Sequence, residues 1–276
     1  MLGLIAGRGR LPADIARAAR RRGLRVAAIA FHGDTDPGLE AEVDHITWIH
    51  VGELERLLGA LHAAKARDVV MAGKILKTTL YGDLASLRPD ARAIALIAGL
   101  HDRSDDAILG AIADTLAAEG LVLRPQAELV PELCAETGVL GAVVPGETQR
   151  RDAAFGWRIA KALGEVDVGQ TVVVRDRAVM ALEAIEGTDE AILRGASLGG
   201  AGVTVVKVAK PRQDPRFDLP AIGPDTLAVL VQAKAAALAV EAGRTLVVDR
   251  ERVVEIADAN GIALLGLSPD AEDGGA

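Results

Sequence analysis

Cysteine is all but missing from this chain. Cys134 is the only one in 276 residues, so no intrachain disulfide can staple the fold. Aromatic residues are nearly as scarce, with three Phe, two Trp and one Tyr, which disfavours a protein that stacks nucleic-acid bases on aromatic platforms. No long apolar run is present. The longest helix-like stretch, near residues 93–100, falls far short of the roughly 20 residues that span a bilayer. Nor is there an excess of positive charge, since 31 Lys and Arg face 39 Asp and Glu for a net −8. A duplex-binding protein shows the opposite balance. Met1 runs into no long apolar segment with a cleavage site, and a cytoplasmic protein with no nucleic-acid partner is expected.

What is present is aliphatic surface. Half the residues are apolar, enough to offset the ordering entropy of a folded chain, and the length suggests two domains of about 100–150 residues each. The acidity is confined to one half. Residues 1–127 hold 16 basic and 16 acidic side chains, and residues 128–276 hold 15 and 23. In the first half, short apolar runs at 2–6, 25–31, 45–50 and 68–72 alternate with helical patterns at 12–22, 53–66 and 105–119. That alternation predicts a Rossmann-like parallel α/β domain over 1–127. Prolines and glycines then punctuate the chain, and a linker is expected over 128–149. A second α/β domain is expected over 150–268 and a tail over 269–276. In it the patterns predict helices at 151–163, 188–194, 225–241 and 250–260, and strands at 203–209, 245–248 and 262–265. A hairpin of 171–175 and 179–184 is expected to turn at Asp176-Arg177.

Several segments could carry chemistry. Gly7-Arg8-Gly9-Arg10-Leu11-Pro12 lies between the first strand and the first helix. Glycines there permit close approach to a phosphate, and a helix N-terminus offers free N–H donors. Pro12 stands where a dinucleotide fingerprint has its third glycine, so the segment suits a phosphate or sugar-nucleotide loop better than a nicotinamide site. A plain βα turn would need the same glycines. Gly73-Lys74 follows the strand at 68–72, at the end of the sheet where α/β folds bind ligands. Lys74 could meet a phosphate or only solvent. Ser104-Asp105-Asp106 opens a helix, as cap and first-turn acids or as contacts to a sugar or base.

Glu183, Glu186 and Asp189 fall within seven residues around Gly187. They fit a helix capped by Thr188 with surface acids, or carboxylates converging on a divalent cation such as Mg²⁺. The stretch 207–218 packs four cations and two acids into twelve residues, stiffened by Pro211 and Pro215. Cations beside acids suit phosphoryl chemistry, where the cations offset diphosphate charge and an Asp holds a metal or orients water. Arg17, Arg20, Arg21, Arg22 and Arg25 form a basic cluster, either a solvated face or a contact for anionic lipid headgroups.

These residues resemble a known family. Leu4-Ile5-Ala6-Gly7-x-Gly9-x-Leu11-Pro12, Ala72-Gly73-Lys74 and Asp105-Asp106-Ala107-Ile108-Leu109 look like its N-terminal domain. Asp167-Val-Gly169-Gln170, Glu183-Ala-Ile-Glu186-Gly187-Thr188-Asp189 and the run Lys210-Pro211-x-Gln213-Asp214-x-Arg216-x-Asp218-Leu219-Pro220-x-Ile222-Gly223 look like its C-terminal domain. The chain is similar to the LpxI-type UDP-2,3-diacylglucosamine diphosphatases of lipid A synthesis, with the motifs in the same order over 2–266. Ala221 departs from the pattern, where a Thr is expected.

The resemblance implies Mg²⁺-dependent hydrolysis of the substrate's diphosphate to lipid X and UMP, with water directed to the sugar-side phosphorus. It also implies two domains that together hold the lipid nucleotide, and it makes Asp218 the aspartate needed for catalysis. The expected catalytic set is Asp218, Asp214 and Lys210. The expected substrate contacts are Gly7, Gly9, Leu11, Pro12, Gly73, Lys74, Asp105, Asp106, Gln170, Thr188, Lys207, Gln213 and Arg216. The expected metal ligands are Glu183, Glu186, Asp189 and Asp218. Peripheral contact with the inner membrane and a homodimer are further expectations. Two other readings compete: an NAD-dependent nucleotide-sugar oxidoreductase, and a non-catalytic module that binds a sugar nucleotide or lipid.

Overall fold

The computed structural model describes residues 1–75, 87–101, 105–217 and 219–268. The chain divides into two compact units, Met1–Val130 and Pro131–Ala276.

In the first unit, strands β1 (Leu2–Ala6), β2 (Val26–Phe31), β3 (His45–Ile49), β4 (Asp68–Ala72) and β5 (Val122–Leu123) form one parallel sheet in the order β3-β2-β1-β4-β5. Every residue of β1 and β2 is buried, as the unbroken apolar runs require of strands covered on both faces. Helices α1 (Leu11–Arg21), α2 (Leu54–Ala63), α3 (Ala91–Ala98) and α4 (Asp105–Ala118) follow strands of this sheet, with the short α5 (Gln126–Leu129) after β5. Leu54, Leu57, Leu58 and Leu61 form the buried stripe of α2, the 3.6-residue period seen in the sequence. The strand order reverses direction of growth between β1 and β4, and such switch points open a crevice at the strands' carboxyl ends.

The second unit is built on a mixed sheet, β6 (Gly138–Val139), β13 (Ala263–Leu267), β11 (Ala237–Glu241), β9 (Thr204–Lys207), β7 (Thr171–Arg175) and β8 (Ala178–Leu182), in that spatial order. The core strands β9, β11 and β13 are parallel. Period-two alternation divides its side chains. Val173, Val205, Leu238 and Leu264 join one apolar cluster, and Val172, Val174, Val206 and Leu265 join another. Helix α6 (Glu147–Glu165) covers the second cluster through Ala153, Trp157 and Ala160. The first cluster takes in residues of α7 (Thr188–Gly199), α8 (Pro224–Gln232) and α9 (Arg250–Ala259). A small parallel pair, β10 (Ala221–Ile222) and β12 (Leu246–Val247), completes the unit. Within residues 128–149, β6 pairs with β13 and Ala135 enters the first apolar cluster.

The hairpin turns where the sequence places it. Asp176 and Arg177 both have positive φ, 50° and 59°. No glycine relieves that backbone; instead the buried Asp152 of α6 accepts hydrogen bonds from the amides of Asp176 (3.0 Å) and Arg177 (2.7 Å).

The expected helix over 225–241 is corrected. Helix α8 ends at Gln232, Lys234 takes a positive φ of 51°, and Ala237–Glu241 is strand β11. A strand whose apolar residues 237–240 are buried on both faces carries no period of two, so an alanine-rich run reads as a continuing helix. Thr188 is also corrected: Gly187 occupies the N-cap position and Thr188 is the first helical residue.

Cys134 is buried, and desolvation pushes its thiol above the usual range, with Glu132 adding to the shift. A thiolate is the reactive form. We therefore expect Cys134 to resist a disulfide-exchange reagent at pH 8 in the native protein and to react fully in denaturant. Rapid native labelling would show that the 131–135 segment opens.

Candidate active site

In the first unit the two expected phosphate loops are stitched to each other. The Gly7 amide donates to Ala72 O (2.8 Å), the Arg8 amide to Lys74 O (2.7 Å) and the Lys74 amide to Arg8 O (3.1 Å). A Cβ on Gly7 would stand 2.7 Å from Lys74 O, and one on Gly73, whose φ is +84°, 2.6 Å from Arg8 O. Both glycines are thus required by the approach of one backbone to the other, before any ligand is considered. Beyond this junction lie Gly9 at positive φ, then Leu11 and the buried Pro12 at the start of α1. Arg8 donates to Gly33 O (3.2 Å) and lies 3.9 Å from Asp34. Asp34, where a nicotinamide fold would offer an acid to the ribose, is 1 % exposed. Asp105 and Asp106 begin α4, but their side chains lie outside the described ones, as does Ser104.

Arg17, Arg22 and Arg25 of the basic cluster on and after α1 are engaged with the protein. Arg17 pairs with Asp14 and Glu42, Arg22 donates to Leu129 O (2.7 Å), and Arg25 meets Asp44 at 3.3 Å. These partners match a solvated ion-paired face.

In the second unit the structure brings Gln170, Glu183, Thr188 and Lys207 together. Lys207, at the end of β9, donates to Thr188 Oγ1 (3.3 Å), and Thr188 donates to Glu183 Oε1 (2.8 Å). The Gln170 amide donates to Glu183 Oε2 (3.3 Å), while Gln170 O accepts from the Val208 amide (3.0 Å). Glu183 and Lys207 are both buried. A buried acid and a buried base bridged by a hydroxyl tie the end of the hairpin to the loop after β9, with each group hydrogen-bonded as burial demands.

The loop 208–217 is braced within itself. Gln213 accepts from the Lys210 amide (3.0 Å) and returns its own amide to Lys210 O (3.2 Å). Lys210 Nζ donates to Asp167 (2.6 Å). Asp214 accepts from the amide, Nε and Nη2 of Arg216 at 2.7–3.1 Å. The Arg216 guanidinium holds the Asp214 carboxyl below the usual carboxylate range, against a smaller opposing push from burial. Asp214 is therefore a charged brace of this loop. Asp218, the principal catalytic expectation, lies outside the described residues.

The three acids around Gly187 do not act as one group. Both oxygens of Glu183 accept bonds from the protein, Glu186 is paired with Arg194, and Asp189 is exposed in the first turn of α7. A hydrogen bond from its own backbone and the Arg194 pairing keep Glu186 below its usual range. Among the described residues no three His, Cys, Asp or Glu stand where they could hold a metal ion. Of the expected metal ligands, Glu183 and Glu186 are engaged by protein groups, Asp189 is exposed, and Asp218 lies outside the described residues. Also among the described residues, no helix is long and apolar enough to cross a membrane.

Two residues were missed from the sequence. Lys161 of α6 and the buried Glu241 at the end of β11 pair at 2.5 Å, and both reach Ala209 at the base of this loop. A usable signal existed for Glu241: the apolar run 237–240 ends in an acid two residues before Gly243.

A parallel α/β unit, followed by a mixed α/β unit with a cation-rich braced loop, defines a two-domain α/β protein. The model described as the LpxI N-terminal domain matches residues 1–133, and that described as the LpxI C-terminal domain matches residues 136–265. The chain belongs to the LpxI family. It is 34% identical over 280 residues to the UDP-2,3-diacylglucosamine pyrophosphatase LpxI of Caulobacter vibrioides, covering 97% of this chain and 98% of that one.

Among solved structures, the biotin carboxylase domain of a thermophilic 2-oxoglutarate carboxylase is similar at a TM-score of 0.28 and 13% identity, over 62% of this chain and 34% of that one. Rhizobium etli pyruvate carboxylase gives 0.29 and 12% over 68% and 17%. The chain thus spans about a third or less of the length of these two, and likenesses of that order do not establish a shared fold.

Proposed function

We propose that this protein is a hydrolase that cleaves the diphosphate bond of UDP-2,3-diacylglucosamine, giving 2,3-diacylglucosamine 1-phosphate and UMP in lipid A biosynthesis. The observation that carries the reading is full-length similarity to a curated enzyme of that name, joined to a braced loop that carries Lys210, Arg212 and Arg216 and precedes the motif aspartate in the sequence. In the first unit, the N-terminus of α1 beyond Gly9, with Lys74 nearby, is the seat we assign to the nucleotide's phosphates. Helix N-termini favour anions through their unpaired N–H groups and dipole. In the second unit the cations offset the charge that develops on the diphosphate as water attacks. Asp218 is assigned the orientation of that water. Glu183, Thr188, Lys207 and Gln170 hold the loop's origin in place, and Asp214 keeps Arg216 directed.

Mg²⁺ is the ion we expect the reaction to need. The described acids do not form a cage for it, in keeping with an ion that retains water and is often held by one or two carboxylates plus substrate phosphates. The expected place of work is the cytoplasmic face of the inner membrane, where a diacylated substrate resides.

Purified protein given UDP-2,3-diacylglucosamine is expected to release UMP, to stop when a chelator is added, and to resume with Mg²⁺. No UMP under any of these conditions would reject the hydrolase reading. Unchanged release in chelator would reject only the metal requirement. A change in nicotinamide absorbance on turnover would favour the oxidoreductase alternative.

A further inference from the structure

We propose that Lys161 and Glu241 are positioning residues that set the conformation of the cation-rich loop for hydrolysis; the proposal rests on the hydrolase reading above. Ala209, near the start of the loop, is fully buried. Its amide donates to Glu241 Oε2 (2.8 Å) and its carbonyl accepts from Lys161 Nζ (3.0 Å). The two side chains are themselves joined at 2.5 Å. Both polar groups of one peptide residue are thus gripped by the two ends of a single ion pair, drawn from a helix on one side and a strand end on the other.

The pair is itself fixed. Glu241 is 1 % exposed and its second oxygen faces Arg244 at 3.5 Å. Lys161 Nζ stands 5.0 Å from the Trp157 ring centroid, within cation–π range. The last turn of α6 continues the grip. A Cβ on Gly164 would stand 3.1 Å from Pro211 and 3.2 Å from Lys210. Arg212 donates to Glu165 O (2.6 Å) and Lys210 to Asp167 (2.6 Å).

A buried ion pair is weak evidence for stability, because desolvation consumes most of the Coulomb gain and apolar replacements are often neutral. What apolar residues could not supply here is one donor and one acceptor aimed at the same residue. Lys210 follows Ala209 directly, so a rotation of the Ala209 peptide moves the first cation of the loop. Displacements of about 1 Å at a reacting centre are worth up to about a hundredfold in rate.

The test is Lys161→Met, which keeps the stem and removes the donor, compared with Lys161→Arg, which restores a cation and a donor. For Lys161→Met we expect kcat for UMP release to fall by about 10- to 100-fold with KM within about twofold. Lys161→Arg should recover most of that loss. Amide hydrogen exchange should quicken over 207–213 in Lys161→Met, while 171–174 and 237–240 keep wild-type protection.

A Lys161→Met kcat within twofold of wild type would overturn the proposal. So would a kcat loss accompanied by faster exchange across all three segments, which marks general loosening. If Lys161→Met does not fold, Glu241→Gln, which keeps an acceptor for the Ala209 amide, is held to the same two readouts. If wild-type protein releases no UMP, the hydrolase reading fails, while unchanged exchange over 207–213 in Lys161→Met would still overturn the positioning role by itself.

Discussion

Asp218→Ala is expected to reduce UMP release by about a thousandfold or more while leaving the melting temperature within a few degrees of wild type. The size follows from the work assigned to that carboxylate. Orienting a water nucleophile and stabilising charge in a site of fixed dipoles each contribute about two to three orders of magnitude. The neighbouring acid cannot substitute. Asp214 is occupied by four hydrogen bonds from three donor groups of Arg216 and is held below the usual carboxylate range, so it is a poor proton acceptor and is not free to turn toward water. Asp214→Ala therefore differs in kind, releasing Arg216 and loosening the loop. The comparison is made by steady-state UMP release and thermal melting on both variants. Asp218→Ala with more than a tenth of wild-type turnover would remove Asp218 from the mechanism.

Gly73→Ala is expected to disable the nucleotide seat proposed for the first unit. Two costs combine at this position. The backbone sits at φ +84°, where a side chain is strained, and the new Cβ would meet Arg8 O at 2.6 Å. Strain and overpacking of this kind total about 2–5 kcal/mol, against a typical stability of about 5–15 kcal/mol. Gly23→Ala isolates the first cost, since φ is +77° there and nothing lies within 4 Å. The Gly23 variant should melt modestly lower and bind UMP as wild type does. The Gly73 variant should melt much lower and lose at least tenfold in UMP affinity by calorimetry, because prying Gly73 from Arg8 displaces the turn that leads into α1. Wild-type UMP affinity in folded Gly73→Ala would separate the glycine junction from nucleotide binding.

Where the sequence was legible, a single physical signal dominated. Leu54, Leu57, Leu58 and Leu61 announce one face of a helix, and they are the buried face of α2. The runs 2–6 and 25–31 read as strands, and Leu2–Ala6 and Val26–Phe31 are strands buried along their whole length. The same signal misled at 237–241, where a fully buried strand of Ala, Leu and Val lacks any period and extends a helical pattern. That misreading hid Glu241, since an acid at the end of a supposed helix has no evident partner. Spacing around Gly187 does not fix which way each acid turns. Glu183, Glu186 and Asp189 are near one another along the chain, yet Glu183 turns into the protein toward Gln170 and Thr188 while Glu186 pairs with Arg194.

The sequence by itself determined the class of each unit and the motifs that place the chain in its family, because these depend on local periodicity and on residue identities in line. Only the tertiary structure decided which partners each charged group keeps. Gly7 and Gly73, 66 positions apart in the numbering, are glycines because two backbones touch. Lys161 and Glu241, 80 apart, meet at Ala209. Coulomb energy and hydrogen bonding act over a few ångströms of space and are indifferent to separation along the chain. Pairings of that kind become visible only when the sheet has brought its strand ends together.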